Sequence, residues 1–240
     1  MSELTEVIIT VSLLVGGFLL IFSTYIFGVC KNKSHNNFIM FNTLLMIYDW
    51  IFYIILNIWI WIYFASNSYN DENTYFVYMI LICPILTILC SMVFFNSVIT
   101  SIILRREINN NEQFRAWFQE HKVFCMFIAF CSLGNLNILH VLNCKFNYMD
   151  IFDAKLSFTV EKKIIHAGVI SLFADIARLI SLINVNFAIY FSAIPMTCFF
   201  LTSLVLTFGL FHRFYESMIR GYEKPTVQEL SVNKKQFSEA

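Results

Sequence analysis

Long apolar stretches alternate with short polar connections along most of the chain. Each stretch has about 20 residues or more, the length that a helix needs to cross a bilayer. They cover residues 7–30, 38–64, 75–104, 123–142, 164–183 and 187–211. The connections leave no room for a separate soluble domain. The pattern therefore predicts a single transmembrane helical bundle over residues 1–212 and a polar cytosolic tail over residues 213–240.

The stretch at 123–142 differs from the others because its second half is polar. It contains Ser132, Gly134, Asn135, Asn137 and His140. Polar side chains are costly against lipid when they have no partner. This stretch is therefore the least suited of the six to cross the membrane alone.

The distribution of Lys and Arg leads to the same stretch. If all six stretches span and the N-terminus is outside, six basic residues lie inside and nine outside, against the positive-inside rule. If 123–142 enters and leaves by one face, fifteen lie inside and the sixteenth, Arg178, lies within the membrane. We therefore predict an all-α integral membrane protein with five spanning helices and one re-entrant or buried hairpin at 123–142. Its N-terminus is extracytosolic and its C-terminus cytosolic.

Composition supports the membrane class and argues against others. Hydrophobic residues make up 58% of the chain and charged residues 13%, against roughly 45–50% and about 25% in ordinary globular proteins. Sixteen basic residues balance sixteen acidic ones, so nucleic acid is not expected as a partner. The seven cysteines and five histidines show no metal-ligand spacing, and neither a cofactor nor a metal is predicted.

Motifs of known enzyme classes are missing from the sequence. It has no nucleophile elbow, P-loop or dinucleotide fingerprint. Tyr48-Asp49 matches half of the intramembrane aspartyl protease signature, but the glycines that should precede the second aspartate, Asp175, are absent. We therefore do not expect an enzyme.

Two charged residues of opposite sign interrupt the fifth stretch. Asp175 and Arg178 are three residues apart, share a helical face and can pair within the helix. Such a pair either lines a path for a solute, a proton or a lipid headgroup, or fixes the helix against its neighbours. The sequence favours the structural role. Alternatively, Arg178 extends to the outer interface.

The second stretch carries a polar stripe of Asn42, Asp49 and Asn57 on an aromatic helix. Asp49 has no local cation, so Arg178 is its candidate long-range partner. Alternatively, Asp49 is protonated, because a low-dielectric environment disfavours the charged form. Residues of three stretches could thus form an intramembrane polar centre: Asn42, Asp49, Asn135, Asn137, His140, Asp175 and Arg178.

In the connection 105–122, Phe114, Trp117 and Phe118 fall on one helical face among basic residues. This pattern is typical of a helix lying on an anionic membrane surface. A solvated loop with a short helix is the alternative.

Residues 117–215 resemble a group of polytopic membrane proteins of fungi and protists without an assigned activity. The likeness rests on Trp117-Phe118, Leu136-Asn137-Ile138-Leu139, Phe152-Asp153-Ala154-Lys155-Leu156-Ser157, Phe173-Ala174-Asp175-Ile176, Ile194-Pro195 and His212-Arg213-Phe214-Tyr215. The fifth segment of that group typically reads Glu-Asp-Ile-Pro-Gln and is remotely similar to the XK-type scramblase family. This chain keeps Asp175 and Ile176 but has Ala174, Ala177 and Arg178 at the other three positions. The resemblance implies a membrane family, and the departures weaken any shared polar chemistry.

Two functional hypotheses follow. The first is a small solute- or lipid-transporting protein, or one of scrambling type, that uses the polar centre. The second is a non-enzymatic membrane scaffold or assembly subunit. A receptor is disfavoured because the external loops are small. The expected partners are membrane lipids and either further copies of the chain or other membrane subunits.

Overall fold

A computed structural model describes residues 3–31, 36–67, 72–188 and 192–222, and these ranges are helical with no strand. The α-helices in them are α1 (Glu3–Lys31), α2 (Asn36–Asn67), α3 (Glu72–Asn110), α4 (Glu112–Glu120), α5 (Lys122–Cys131), α6 (Phe158–Ala188) and α7 (Ala193–Tyr222). Short 3₁₀-helices lie between α5 and α6 at Leu136–Asn143, Phe146–Tyr148 and Asp150–Phe152.

Five of these helices, α1, α2, α3, α6 and α7, are long and apolar enough to cross a membrane. Their apolar stretches contain 27, 26, 28, 30 and 19 residues, against the approximately 20 that a bilayer requires. The predicted all-α membrane protein with five spanning helices is therefore confirmed. α7 continues as far as Tyr222, past residue 213, where the polar tail was predicted to begin. The remainder of that tail, 223–240, lies outside the described residues.

The stretch 123–142 forms the predicted re-entrant or buried hairpin and is not a sixth long helix. α5 ends at Cys131 after ten residues, which is about 15 Å, half the thickness of the hydrocarbon core. A turn follows, and the 3₁₀-helix Leu136–Asn143 then leads back. At its return the carbonyl of Leu142 accepts a hydrogen bond from the backbone N–H of Ala154 (3.0 Å), just before α6 begins. Both ends of this hairpin (residues 122–143) therefore lie at the end of the bundle where α3 ends and α6 begins.

Side chains of α3 and α6 satisfy the irregular backbone at the hairpin tip (residues 132–135). The side-chain amide of Asn96 donates to the carbonyl of Leu133 (2.8 Å). On the other side, the backbone N–H of Leu136 donates to the hydroxyl of Ser171 (3.1 Å). Backbone without a regular ladder is tolerated at membrane depth only where protein or water supplies such partners. The irregular backbone of this stretch thus has hydrogen-bond partners on two neighbouring helices.

The tip also approaches α2 closely. A Cβ atom at Gly134 would overlap the indole ring of Trp50, so this position admits only glycine without a shift of the neighbouring helix. Trp50 itself is buried, with 6% of its surface exposed. The hairpin can therefore approach α2 this closely because Gly134 has no side chain.

α4 and the loop before α6 form a cap over this end of the bundle, which we define as residues 111–121 and 144–157. Phe114 and Trp117 are 0% and 8% exposed, and the indole N–H of Trp117 donates to the carbonyl of Asp150 (2.8 Å). The predicted aromatic face of α4 therefore packs largely against protein, with Phe114 and Trp117 buried and Phe118 half-buried. The apolar pattern was correctly located, and a position at a membrane surface stays a prediction.

A buried carboxylate joins the cap to α3. Glu107 is 2% exposed and its carboxylate accepts hydrogen bonds from the backbone N–H (2.6 Å) and the hydroxyl (2.8 Å) of Ser157. The side-chain amide of Asn111 donates to the same carboxylate (2.6 Å). Three donors on one ionisable group fix the start of α6 to the end of α3.

By its internal contacts the chain divides into two units, residues 1–206 and residues 207–240. The described part of the second unit is the last portion of α7. Within the first unit α2 is central and α1 peripheral, because 56% of the apolar window of α2 is buried but only 11% of that of α1. All the site residues described below belong to the first unit.

Candidate functional site: a buried polar centre

Arg178 lies inside the protein, at the centre of a cluster of polar side chains. It is 1% exposed, so the alternative in which it extends to the interface is wrong. One of its terminal nitrogens, Nη2, donates a hydrogen bond to Oδ2 of Asp49 on α2. The same nitrogen is 3.2 Å from Oδ1 of Asp175, one turn earlier on α6. The structure therefore makes both partnerships considered from the sequence, the local one and the long-range one.

The second oxygen of each carboxylate accepts a hydrogen bond from a further element. The hydroxyl of Thr202 on α7 donates to Oδ1 of Asp49 (2.8 Å). The side-chain amide of Asn135 at the hairpin tip donates to Oδ2 of Asp175 (2.9 Å). Four parts of the chain thus meet at one guanidinium. We call Asp49, Asn135, Asp175, Arg178 and Thr202 the polar centre.

Asn135 has two roles that its local conformation explains. It precedes the 3₁₀-helix in an extended conformation, and its side-chain oxygen accepts from the backbone N–H (3.0 Å) and the side-chain amide (2.9 Å) of Asn137. Asparagine is favoured at such caps because a short side chain can accept from the orphan N–H groups of the first turn. Capping orients the other end of the amide, which donates to Asp175. Asn135 therefore both caps the 3₁₀-helix and donates the hydrogen bond that joins the hairpin to Asp175.

Aromatic packing stabilises the guanidinium further. The ring of Tyr53 lies 5.0 Å from Cζ of Arg178, within the range of a cation–π contact. Tyr53 is 1% exposed, and its hydroxyl donates to the carbonyl of Ile85 on α3 (3.4 Å). Sequence analysis missed Tyr53, although it follows Asp49 by four residues and so shares its helical face.

The structure brings together Asp49, Asn135, Asn137, Asp175 and Arg178 from the predicted set of seven. Asn42 is buried two helical turns before Asp49, about 10 Å along the axis, and its side-chain oxygen accepts no hydrogen bond within the described part of the chain. His140 is half-buried near the other end of the 3₁₀-helix, five residues or about 10 Å from Asn135. Neither residue is a hydrogen-bond or ion-pair partner of Arg178 in the described part of the chain.

The polar centre lies deep in the bundle. Asp49 is near the middle of the apolar stretch Asn37–Ile62, and Thr202 is in the middle of Ala193–Phe211. At that depth charged groups are expensive and usually face the protein interior or a water-filled path. Within the described ranges, no group of three or more His, Cys, Asp or Glu side chains could hold a metal ion.

The arrangement is therefore a buried cluster of two carboxylates around one guanidinium. No family model, curated protein or solved structure matches the chain. The class that the fold and the site define is an all-α polytopic membrane protein with a hairpin at 122–143 and a buried Asp–Arg–Asp cluster among its long apolar helices.

Proposed function

We propose that the protein is a small transport protein that moves a polar solute or a lipid headgroup across the bilayer by way of the polar centre. The observation that carries this proposal is the convergence of α2, α6, α7 and the hairpin tip on Arg178. A pair that merely stabilised α6 would need only Asp175 and Arg178. Here a second carboxylate and two further donors are added at mid-membrane depth.

The hairpin supports the same function. Discontinuous helices and irregular backbone at the membrane midplane are typical of transporter binding sites, and the hairpin tip contributes both to this chain. The resemblance of residues 117–215 to the remotely XK-type group adds a lipid headgroup as a cargo to test. The proposed orientation places the hairpin ends, the cap and the C-terminus in the cytosol and the N-terminus outside. This orientation is supported by the positive-inside rule, because it puts fifteen of the sixteen Lys and Arg residues on the cytosolic side.

A non-enzymatic scaffold or assembly subunit is the second candidate. One observation favours it: both oxygens of Asp49 are already paired inside the protein, as expected of a structural cluster. The outward apolar face of α1, with Leu19 and Leu20 62–63% exposed, would then face another copy of the chain or a different membrane subunit in place of lipid.

The experiment that separates these functions is reconstitution of the purified protein in liposomes. Flux of fluorescent phospholipid and of small ions is measured for the wild type, for Asp49→Asn and for the control Asn42→Leu. We expect flux with the wild type and with Asn42→Leu, and at least a tenfold loss with Asp49→Asn at equal folded yield. Absence of flux, or flux that Asp49→Asn leaves unchanged, contradicts transport through the polar centre and leaves the scaffold.

A further inference from the structure

The buried charges of the polar centre do not balance. Asp49 and Asp175 are 2% and 3% exposed and share the single guanidinium of Arg178. Among the side chains that the structure describes, Arg178 is the one buried Lys or Arg. With every group ionised, the cluster would carry one uncompensated negative charge at mid-membrane depth. We infer that the polar centre binds one proton, held by its pair of carboxylates.

Two further titratable groups near the cluster, Tyr53 and Cys198, carry no positive charge. On α2, the hydroxyl of Tyr53 donates to the carbonyl of Ile85. On α7, the thiol of Cys198 donates to the carbonyl of Phe52 (3.3 Å). As donors, both groups are protonated and neutral. The hydroxyl of Thr202 on α7 and the amide of Asn135 at the hairpin tip also contact the carboxylates, and neither of them titrates.

The geometry distinguishes the two carboxylates. Asp49 accepts a direct hydrogen bond from the guanidinium and another from the hydroxyl of Thr202, an environment that stabilises an anion. Asp175 is 3.2 Å from the same nitrogen and accepts a neutral amide donor. Asp49 is therefore the closer counter-ion of Arg178. Because the groups are so close, the proton is a property of the pair.

A second observation indicates how a proton reaches this depth. Nε of Arg178 is a buried donor that has no acceptor in the described part of the chain. Buried donors of this kind are normally satisfied by ordered water, and water on this guanidinium lies beside both carboxylates. Proton exchange during transport rests on the proposed function. The bound proton itself does not, so the experiment detects it directly.

The test is infrared spectroscopy of the protein in lipid nanodiscs at neutral pH, in H₂O and D₂O. The carbonyl band of a protonated carboxyl shifts in D₂O, and its area counts such groups per molecule. Charge balance predicts one group in the wild type. It predicts none in Asp49→Asn or Asp175→Asn, because the remaining carboxylate then pairs with Arg178. It predicts two in Arg178→Gln.

The loss of the band in both Asp variants supports the inference even if Arg178→Gln fails to fold. Glu107→Gln is the matched control for another buried carboxylate and should leave the band unchanged. A wild type without the band overturns the inference. A band that survives in either Asp variant, or that disappears in Glu107→Gln, also overturns the inference. If His140 holds the compensating charge, His140→Gln gains a band that the wild type lacks, which also overturns it. Flux in liposomes from a protein that lacks this band would contradict the bound proton and would leave the proposed transport function standing.

Discussion

Replacement of Arg178 by leucine tests whether the three charged residues act as a unit. The substitution leaves Asp49 and Asp175 buried without their common cation. Removal of one partner from a buried pair costs about 3–5 kcal/mol, whereas replacement of all partners by apolar groups is often close to neutral. Because the pair of carboxylates carries one net negative charge that loses its cation here, we expect Arg178→Leu to lower the free energy of unfolding by about 3–5 kcal/mol.

The double and triple variants make this prediction sharper. If Asp175 and Arg178 were a self-contained pair, the double replacement by leucine would restore stability. In the structure Asp49 also binds Arg178, so the double variant still leaves one buried carboxylate without its cation. Only the triple variant with Asp49→Leu should approach the wild type. Asp175→Asn is the mild comparison and should cost about 1 kcal/mol, because its amide oxygen can still accept from Asn135.

Stability is measured by denaturant titration in mixed micelles, with tryptophan fluorescence as the signal and equal detergent for all variants. Two results would refute the reasoning. One is an Arg178→Leu protein that unfolds at the same denaturant concentration as the wild type. The other is full recovery in the double variant, which would mean that Asp49 does not depend on Arg178.

Three further predictions concern the hairpin and the cap. Gly134→Ala should destabilise the protein by about 1–3 kcal/mol, because its Cβ would overlap the indole ring of Trp50. The control Gly16→Ala should be neutral or stabilising, because its Cβ would meet nothing within 4 Å. The two variants are compared by thermal unfolding. Glu107→Gln should weaken the charge-assisted bonds that hold the start of α6, seen as faster amide exchange there, and unchanged exchange would contradict their role. Burial raises the pKa of Cys144 to about 11, so its alkylation should be slow at neutral pH and accelerate towards that value as the thiolate forms. A Tyr148→Cys thiol, at a site 81% exposed, should react at once, and from the cytosolic side alone if the proposed orientation holds.

The hairpin was predictable because two independent features coincided on one stretch. The Lys/Arg distribution required 123–142 to return to its side of entry, and the polar residues that make this stretch a poor span, such as Asn135, are the ones that bind neighbours at the tip. The partners of Arg178 were predictable for a similar reason. A lone cation within a span needs a carboxylate, and the sequence offered Asp49 and Asp175.

Thr202 could not be predicted in the same way. Hydroxyl side chains in membrane helices often bond to the carbonyl four residues earlier, as Thr24 and Ser203 do here. Nothing in the sequence separates Thr202, which binds Asp49 instead, from those residues. The aromatic face of α4 shows the same kind of limit, since an apolar stripe does not reveal whether lipid or protein covers it. In the structure, protein covers Phe114 and Trp117.

The irregular backbone of the hairpin tip has a consequence for biogenesis. The carbonyl of Leu133 depends on Asn96, which is synthesised before it, but the backbone N–H of Leu136 depends on Ser171, which is synthesised 35 residues later. Until that later helix leaves the ribosome and enters the bilayer, the tip has no full set of partners in hydrocarbon. We therefore expect the hairpin to reach its final position only after α6 has been inserted, so that the order of membrane insertion differs from the order of the chain.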